Sequence, residues 1–185
     1  VDYGYMAGFH GLVDTATGQF GFPGMHGRTP LEFAYDTEKL VASITIGKPY
    51  GGRDFRAQAG GANDDFSADD TFELLIAPLD EQGRLENRVF RVVGNSAGVC
   101  RINADEPKVG QYNRPWAADI SYGVRLYRDT WSGVVQIPFD ALGRAPENGE
   151  IWAVQMVIRY ADPEITAVLS PADPAEHLSM GWQRF

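Results

Sequence analysis

Residues 131–160, WSGVVQIPFDALGRAPENGEIWAVQMVIRY, decide the fold. The stretch reads as two long strands joined by a short ordered turn region. The first strand alternates apolar and polar residues and stops at Pro138, because proline has no N–H to give a sheet ladder. Asn148 and Gly149 form a strong turn pair, after which Ile151, Trp152, Val154, Met156 and Ile158 restart an apolar strand. The intervening Asp140, Ala141, Leu142 and Gly143 are long enough for one helical turn, with Gly143 suited to a left-handed exit. Trp131 and Trp152 open the two strands and read as core anchors.

The same grammar extends outward. Residues 31–35 and 40–47 read as a hairpin about a turn at 36–39. Strands are expected at 71–78, 88–93 and 99–103, and a further hairpin joins 122–128 to 131–137. Residues 48–70 are rich in glycine and aspartate without a core-forming pattern, so they read as a long loop. Such loops inside compact domains are more often functional than inert. A second loop is expected at 104–119, with Tyr112 and Trp116 in it. The tail 162–180 is polar and proline-rich, and the closing GWQRF reads as a last edge strand. Segment 1–29 is a glycine- and aromatic-rich extension with a strand near residues 3–9. The fold class is therefore all-β, an antiparallel, jelly-roll-like β-sandwich with few or no helices, and the whole of 1–185 reads as a single domain.

Composition narrows the partners. A net charge of −9 repels a phosphate backbone and an anionic membrane surface, so nucleic acid and membrane are not expected partners. No apolar stretch reaches the roughly 18–20 residues of a membrane-spanning helix. The single cysteine, Cys100, sits between apolar neighbours and reads as a strand position rather than a reactive thiol. A start at Val1 fits either a processed protein or a segment of a longer one. His10, His26 and His177 are too dispersed for a metal triad, and no haem attachment motif accompanies them. No phosphate loop, nucleophile elbow or Cys/His dyad is present.

Four aspartates, Asp64, Asp65, Asp69 and Asp70, gather hard oxygen donors in one short loop. That chemistry suits calcium, although the spacing is not that of an EF-hand. A solvated acidic loop is the alternative.

The succession DDTFELLIAP (69–78), NRVFRVVGNSAG (87–98) and DTWSGVVQIPFDALGRAPENGEIWAVQMVIRY (129–160) resembles the family 9 carbohydrate-binding modules and the related DOMON-like sandwich domains. These share an acidic strand, an F-R-V strand and an I-P-F-x-x-L-G turn before a tryptophan-bearing strand. The resemblance covers roughly residues 30–160. It implies a sandwich that grips glycan chains or chain ends between aromatic rings while charged side chains bond the hydroxyls, and sandwiches of this type often carry structural calcium. Glu73 and Arg91 match the family's polar sugar contacts, and Arg159 stands where many members carry an arginine. The two clamping tryptophans of the family are missing: Phe66, Ser67 and Ala68 replace the first, and residues 171–174 the second. Phe66 is the candidate substitute for the first ring and Trp116 or Trp182 for the other, with an unoccupied clamp as the alternative.

The expected function is that of a non-catalytic module, secreted to an extracellular or periplasmic space, that binds an oligosaccharide or polysaccharide and serves a catalytic domain of the same protein. The alternative is a structural sandwich packing against another domain or subunit. Glu73, Arg91, Arg159, Phe66, Trp116, Tyr112 and Trp182 are the candidate sugar contacts, with Phe55 and Tyr50 as further loop aromatics. Calcium is the candidate cofactor, and no organic cofactor is expected. For the Glu73–Arg91 couple a surface ion pair competes with a sugar contact. For Arg159 a structural ion pair is the leading account. For the loop aromatics the competing account is a ring folded onto the core.

Overall fold

A computed structural model describes residues 4–9, 13–14, 31–49, 52–86, 88–147, 150–162, 164–168 and 181–184. Thirteen strands are described: β1 (Gly4–Phe9), β2 (Val13–Asp14), β3 (Leu31–Tyr35), β4 (Lys39–Gly47), β5 (Thr71–Pro78), β6 (Val89–Asn95), β7 (Cys100–Glu106), β8 (Gln111–Pro115), β9 (Ser121–Leu126), β10 (Thr130–Pro138), β11 (Ile151–Ala161), β12 (Glu164–Val168) and β13 (Gly181–Arg184). They form two antiparallel sheets. The smaller runs β1-β3-β4-β10-β9, and the larger runs β2-β12-β11-β5-β6-β7-β8 with β13 also paired to β11. Among the described residues the only helical element is a single 3-10 turn, Pro107–Val109.

Period-two alternation explains the packing, since successive side chains of a strand point to opposite faces. Phe33, Ala42, Ile44, Trp131, Val135 and Ile137 of the small sheet meet Phe72, Leu74, Phe90, Trp152, Met156 and Ile158 of the large one in a single buried core. Trp131 and Trp152 are both buried, as the sequence requires. The two long strands of 131–160 lie in different sheets, so the segment between them crosses the sandwich rather than closing a hairpin. Its start is a run of i→i+3 turns from Pro138 to Gly143, and Gly143 takes φ +88°. The turn pair Asn148–Gly149 lies outside the described residues.

Two phenols fasten the sheets together. Tyr160 of β11 donates its hydroxyl to the Gly47 carbonyl at 2.6 Å, and Tyr122 of β9 donates to the Asn95 carbonyl at 2.8 Å. Tyr122 stands edge-on to Phe72, and Gly94 makes room for that pair: a Cβ there would sit 2.6 Å from the Phe72 ring.

Three sequence expectations need correction. Residues 104–119 are not one loop, because β7 runs on to Glu106 and β8 adds a strand at Gln111–Pro115. Every residue of β8 is exposed, Asn113 adopts φ +53°, and the pairing with β7 is interrupted by a register shift. An all-exposed strand carries no apolar alternation to betray it. The tail likewise contains β12, which pairs with β11 over residues 157–161. Trp116, expected as an exposed ring, is buried in the core. It packs on Phe90 and donates its indole N–H to the Ala141 carbonyl at 2.9 Å.

Burial raises the pKa of both Tyr122 and Tyr160, and the nearby charge of Asp70 pushes Tyr160 further. A phenol raised in the folded state keeps its proton where the unfolded chain, titrating near 10, has released it. Stability is thus complete below about pH 10 and declines as pH climbs beyond it. In an alkaline titration, phenolate absorbance from at least these two of the eight tyrosines is expected to appear only together with loss of tertiary structure.

Candidate functional site

The strands β11, β5, β6 and β7 lie side by side in the large sheet. Their inward residues fill the core, which leaves the alternate positions on the outer face. Thr71 and Glu73 of β5, Arg91 and Val93 of β6, Arg101 of β7, and Val157 and Arg159 of β11 line a hollow of about 290 Å³ there. Asp65, Phe66 and Ser67 of the long loop form the remaining wall. Register fixes the floor: Val157, Glu73, Val93 and Arg101 stand opposite one another in one row across four strands.

Arg91 is held from two sides. Its Nη2 donates to Asp105 Oδ2 at 2.7 Å, and its Nε lies 3.1 Å from Glu73 Oε1. The second contact is an ion pair by distance only, since the Nε–H has no aligned acceptor. The buried Asp105 also accepts the Asn113 amide, so the carboxylate behind Arg91 is itself fixed. Arg159 donates through Nη2 to the Phe66 carbonyl at 2.8 Å. The guanidinium of Arg101 lies over the Phe66 ring, 5.2 Å from its centroid. Asp65 accepts the amide and hydroxyl of Ser67 at 2.8 and 2.6 Å. Those bonds, the hydroxyl first, hold its carboxyl below the usual carboxylate range, and the charges of Arg159 and Arg101 act in the same direction.

Two buried aspartates position the loop wall. Asp69 accepts the amides of Gln58 and Ala59 and the side-chain N–H of Asn95. Asp70 takes both Nη groups of Arg53 at 2.7 Å, together with the amides of Arg56 and Ala161. The Arg53 pKa rises accordingly, chiefly through its hydrogen bond to Asp70. Because β5 begins at Thr71, these two side chains tie the loop to the strand that carries Glu73.

Four of the expected contacts therefore come together: Glu73, Arg91, Arg159 and Phe66. The remaining expectations fare differently. Phe66 is not a free stacking platform, being 3% exposed, packed with Ala59 and Val93 and covered by Arg101. Trp116 is in the core. Tyr112 is exposed on β8 but does not line the hollow. Phe55 packs edge-on against Trp131. The backbone of Trp182 pairs with Ala153, while its side chain lies outside the described residues, as do Tyr50, His10, His26 and His177.

The calcium expectation meets a donor set that does not fit it. Asp64 holds the amides of Gly60 and Gly61, Asp65 holds Ser67, and Asp69 and Asp70 hold the loop and strand groups already described. Asp65, Asp69 and Asp70 spend both oxygens on N–H and O–H donors, and Asp64 spends one, Oδ2. Among the described residues no three His, Cys, Asp or Glu side chains are grouped to hold a metal ion.

Sequence reading missed Arg101 and Asp105. Both were accessible to it, because alternation along CRINADE places Arg101, Asn103 and Asp105 on the same face as Arg91. The early end assigned to that strand, at residue 103, concealed Asp105, whereas Arg101 lay within it.

No protein-family model matches this chain, and no curated protein does. Solved structures do. A candidate carbohydrate-binding protein from Bacteroides uniformis ATCC 8492 superposes with a TM-score of 0.61 at 14% identity, over 100% of this chain and 86% of that one. A family 9 carbohydrate-binding module from Caldicellulosiruptor kristjanssonii in complex with cellotriose gives 0.53 at 13% identity, over 83% and 68%. A family 9 module from the same organism in complex with glucose gives 0.52 at 12% identity, over 89% and 82%. The chain shares the β-sandwich fold of the family 9 carbohydrate-binding modules.

Two outcomes test the loop anchor. Removing the carboxylate by Asp70→Ala leaves the Arg53 charge without its partner, and a broken buried pair costs about 3–5 kcal/mol. A lower melting temperature and faster hydrogen exchange at the Arg56 and Ala161 amides are expected. Adding calcium or EDTA to the native chain is expected to leave the melting temperature unchanged, as scanning calorimetry would record.

Proposed function

We propose that this chain is a non-catalytic carbohydrate-binding module whose sugar sits in the hollow on the outer face of the large sheet. The observation that carries the reading is the Glu73–Arg91 couple at the floor of that hollow, beside Arg159 and beneath the loop wall of Asp65 and Ser67. Sugar hydroxyls both donate and accept. Carboxylates such as Glu73 and Asp65 take their protons, and guanidinium groups donate to their oxygens, in bonds stronger than neutral ones. Val157 offers C–H surface to a pyranose face. The volume lies at the lower end of ligand pockets, roughly 300–1,000 Å³, which suits one sugar unit better than a long internal stretch.

The fold neighbours support the reading, since one is a candidate carbohydrate-binding protein and the two family 9 modules hold cellotriose and glucose. The non-catalytic part rests on the state of the acids. A general acid needs a raised pKa, whereas Asp65 is lowered and Glu73 is paired with Arg91. Service to a catalytic domain of the same protein and a secreted location are parts of the same proposal. The packing alternative depended on an apolar patch near the N-terminal segment, where only the backbone of β1 and β2 belongs to the described residues.

Titration calorimetry with a panel of soluble oligosaccharides, cellotriose included, tests the reading. Saturable binding is expected, and Arg91→Ala is expected to weaken it by about 1.5–3 kcal/mol, roughly ten- to a hundredfold in Kd. Absence of binding across the whole panel would overturn the proposal.

A further inference from the structure

The charges of the hollow are equal in number but unevenly paired: Arg91, Arg101 and Arg159 stand against Glu73, Asp65 and, behind Arg91, Asp105. Arg91 is spent on Glu73 and Asp105. Arg159 and Arg101 are not comparably spent. Among the described residues neither forms an ion pair, Arg159 makes one bond to the Phe66 carbonyl, and Arg101 donates to no acceptor at all. Both touch Phe66, one at its ring and one at its carbonyl, so they occupy the same side of the hollow. Asp65 is near enough for both to feel its charge, yet its two oxygens are bonded to Ser67. Two half-buried guanidinium groups facing one engaged carboxylate gather positive charge around Phe66, while two carboxylates, Glu73 and Asp105, stand against the single charge of Arg91.

The stacking of Arg101 leaves its Nη donors free. A guanidinium lying on an aromatic face is held in place through its π surface, with its N–H groups in its own plane; Nε is buried, so the Nη groups are the ones offered to a ligand. Phe66 thus orients the arginine without consuming a donor. A planar, bidentate acceptor is what such a fork fits best, and a carboxylate is that acceptor.

We propose that the sugar taken by this hollow carries a carboxylate, as a uronic acid does. Arg101 and Arg159 hold the carboxylate, while Glu73 and Asp65 accept from neighbouring hydroxyls. The inference rests on the sugar-binding reading of the same site and adds the class of sugar.

The test is calorimetry with short oligomers of glucuronic and galacturonic acid, their methyl esters, the neutral oligomers of glucose and galactose, and sulfated forms of the neutral oligomers. At least one acid is expected to bind about tenfold or more tightly than its own methyl ester, as charge-assisted hydrogen bonds require, and to weaken as salt is raised. In Arg101→Gln and in Arg159→Gln, each confirmed as folded by its melting transition, the ratio of acid to ester affinity is expected to fall toward one. Equal binding of acid and ester, or preference for a neutral oligomer, overturns the carboxylate proposal and leaves the sugar-binding reading standing. Preference for a sulfated oligomer overturns it as well, assigning the arginines to a tetrahedral anion. Failure of every oligomer to bind defeats both.

Discussion

Asp69 and Asp70 are consecutive residues with no exposed surface, and the outer face of the large sheet is organised around them. A carboxylate removed from water is tolerated only when its oxygens are fully bonded or a countercharge stands beside it. The two residues solve the problem separately. Asp70 recruits the fork of Arg53, and Asp69 relies on three uncharged N–H donors. In doing so they fold residues 52–68 back against the sheet, and the hollow gains its fourth wall. These two of the four candidate calcium donors spend their oxygens on N–H groups of the chain itself.

The second constraint is the strictness of the two-residue period. Each central strand of the large sheet gives one face to the core and the other to the hollow, so a residue that faces sugar-sized space has two core residues as its sequence neighbours. Glu73 lies between Phe72 and Leu74, Arg91 between Phe90 and Val92, and Arg159 between Ile158 and Tyr160. The charged positions are therefore held by rigid backbone, with little freedom to follow a ligand. Side-chain rotation supplies what adjustment there is.

Legibility in the sequence obeys the same logic. Strands β4, β5, β6, β10 and β11 are plain because their apolar alternation has to be written into the residues. β8 buries no side chain and so leaves no such pattern, and the tertiary pairing that makes β8 and β12 strands is not local. Glu73, Arg91 and Arg159 could be picked out because charge within an apolar strand demands a reason. The fate of Trp116 could not, since a ring following Pro115 has the same letters whether it turns outward or slides between the sheets against Phe90. Phe66 was placed at the right wall but in the wrong posture, because cover by Arg101 depends on a residue 35 positions away.

The rim that β8 forms among the described residues has a consequence for how this molecule behaves in a crowd. A flat outermost ladder invites a second polypeptide to dock and extend it into a fibre. Here Pro115 withholds a donor, Asn113 breaks the extended geometry, and the slipped pairing with β7 bends what is left. Edge-to-edge pairing of two copies along this rim is thereby disfavoured.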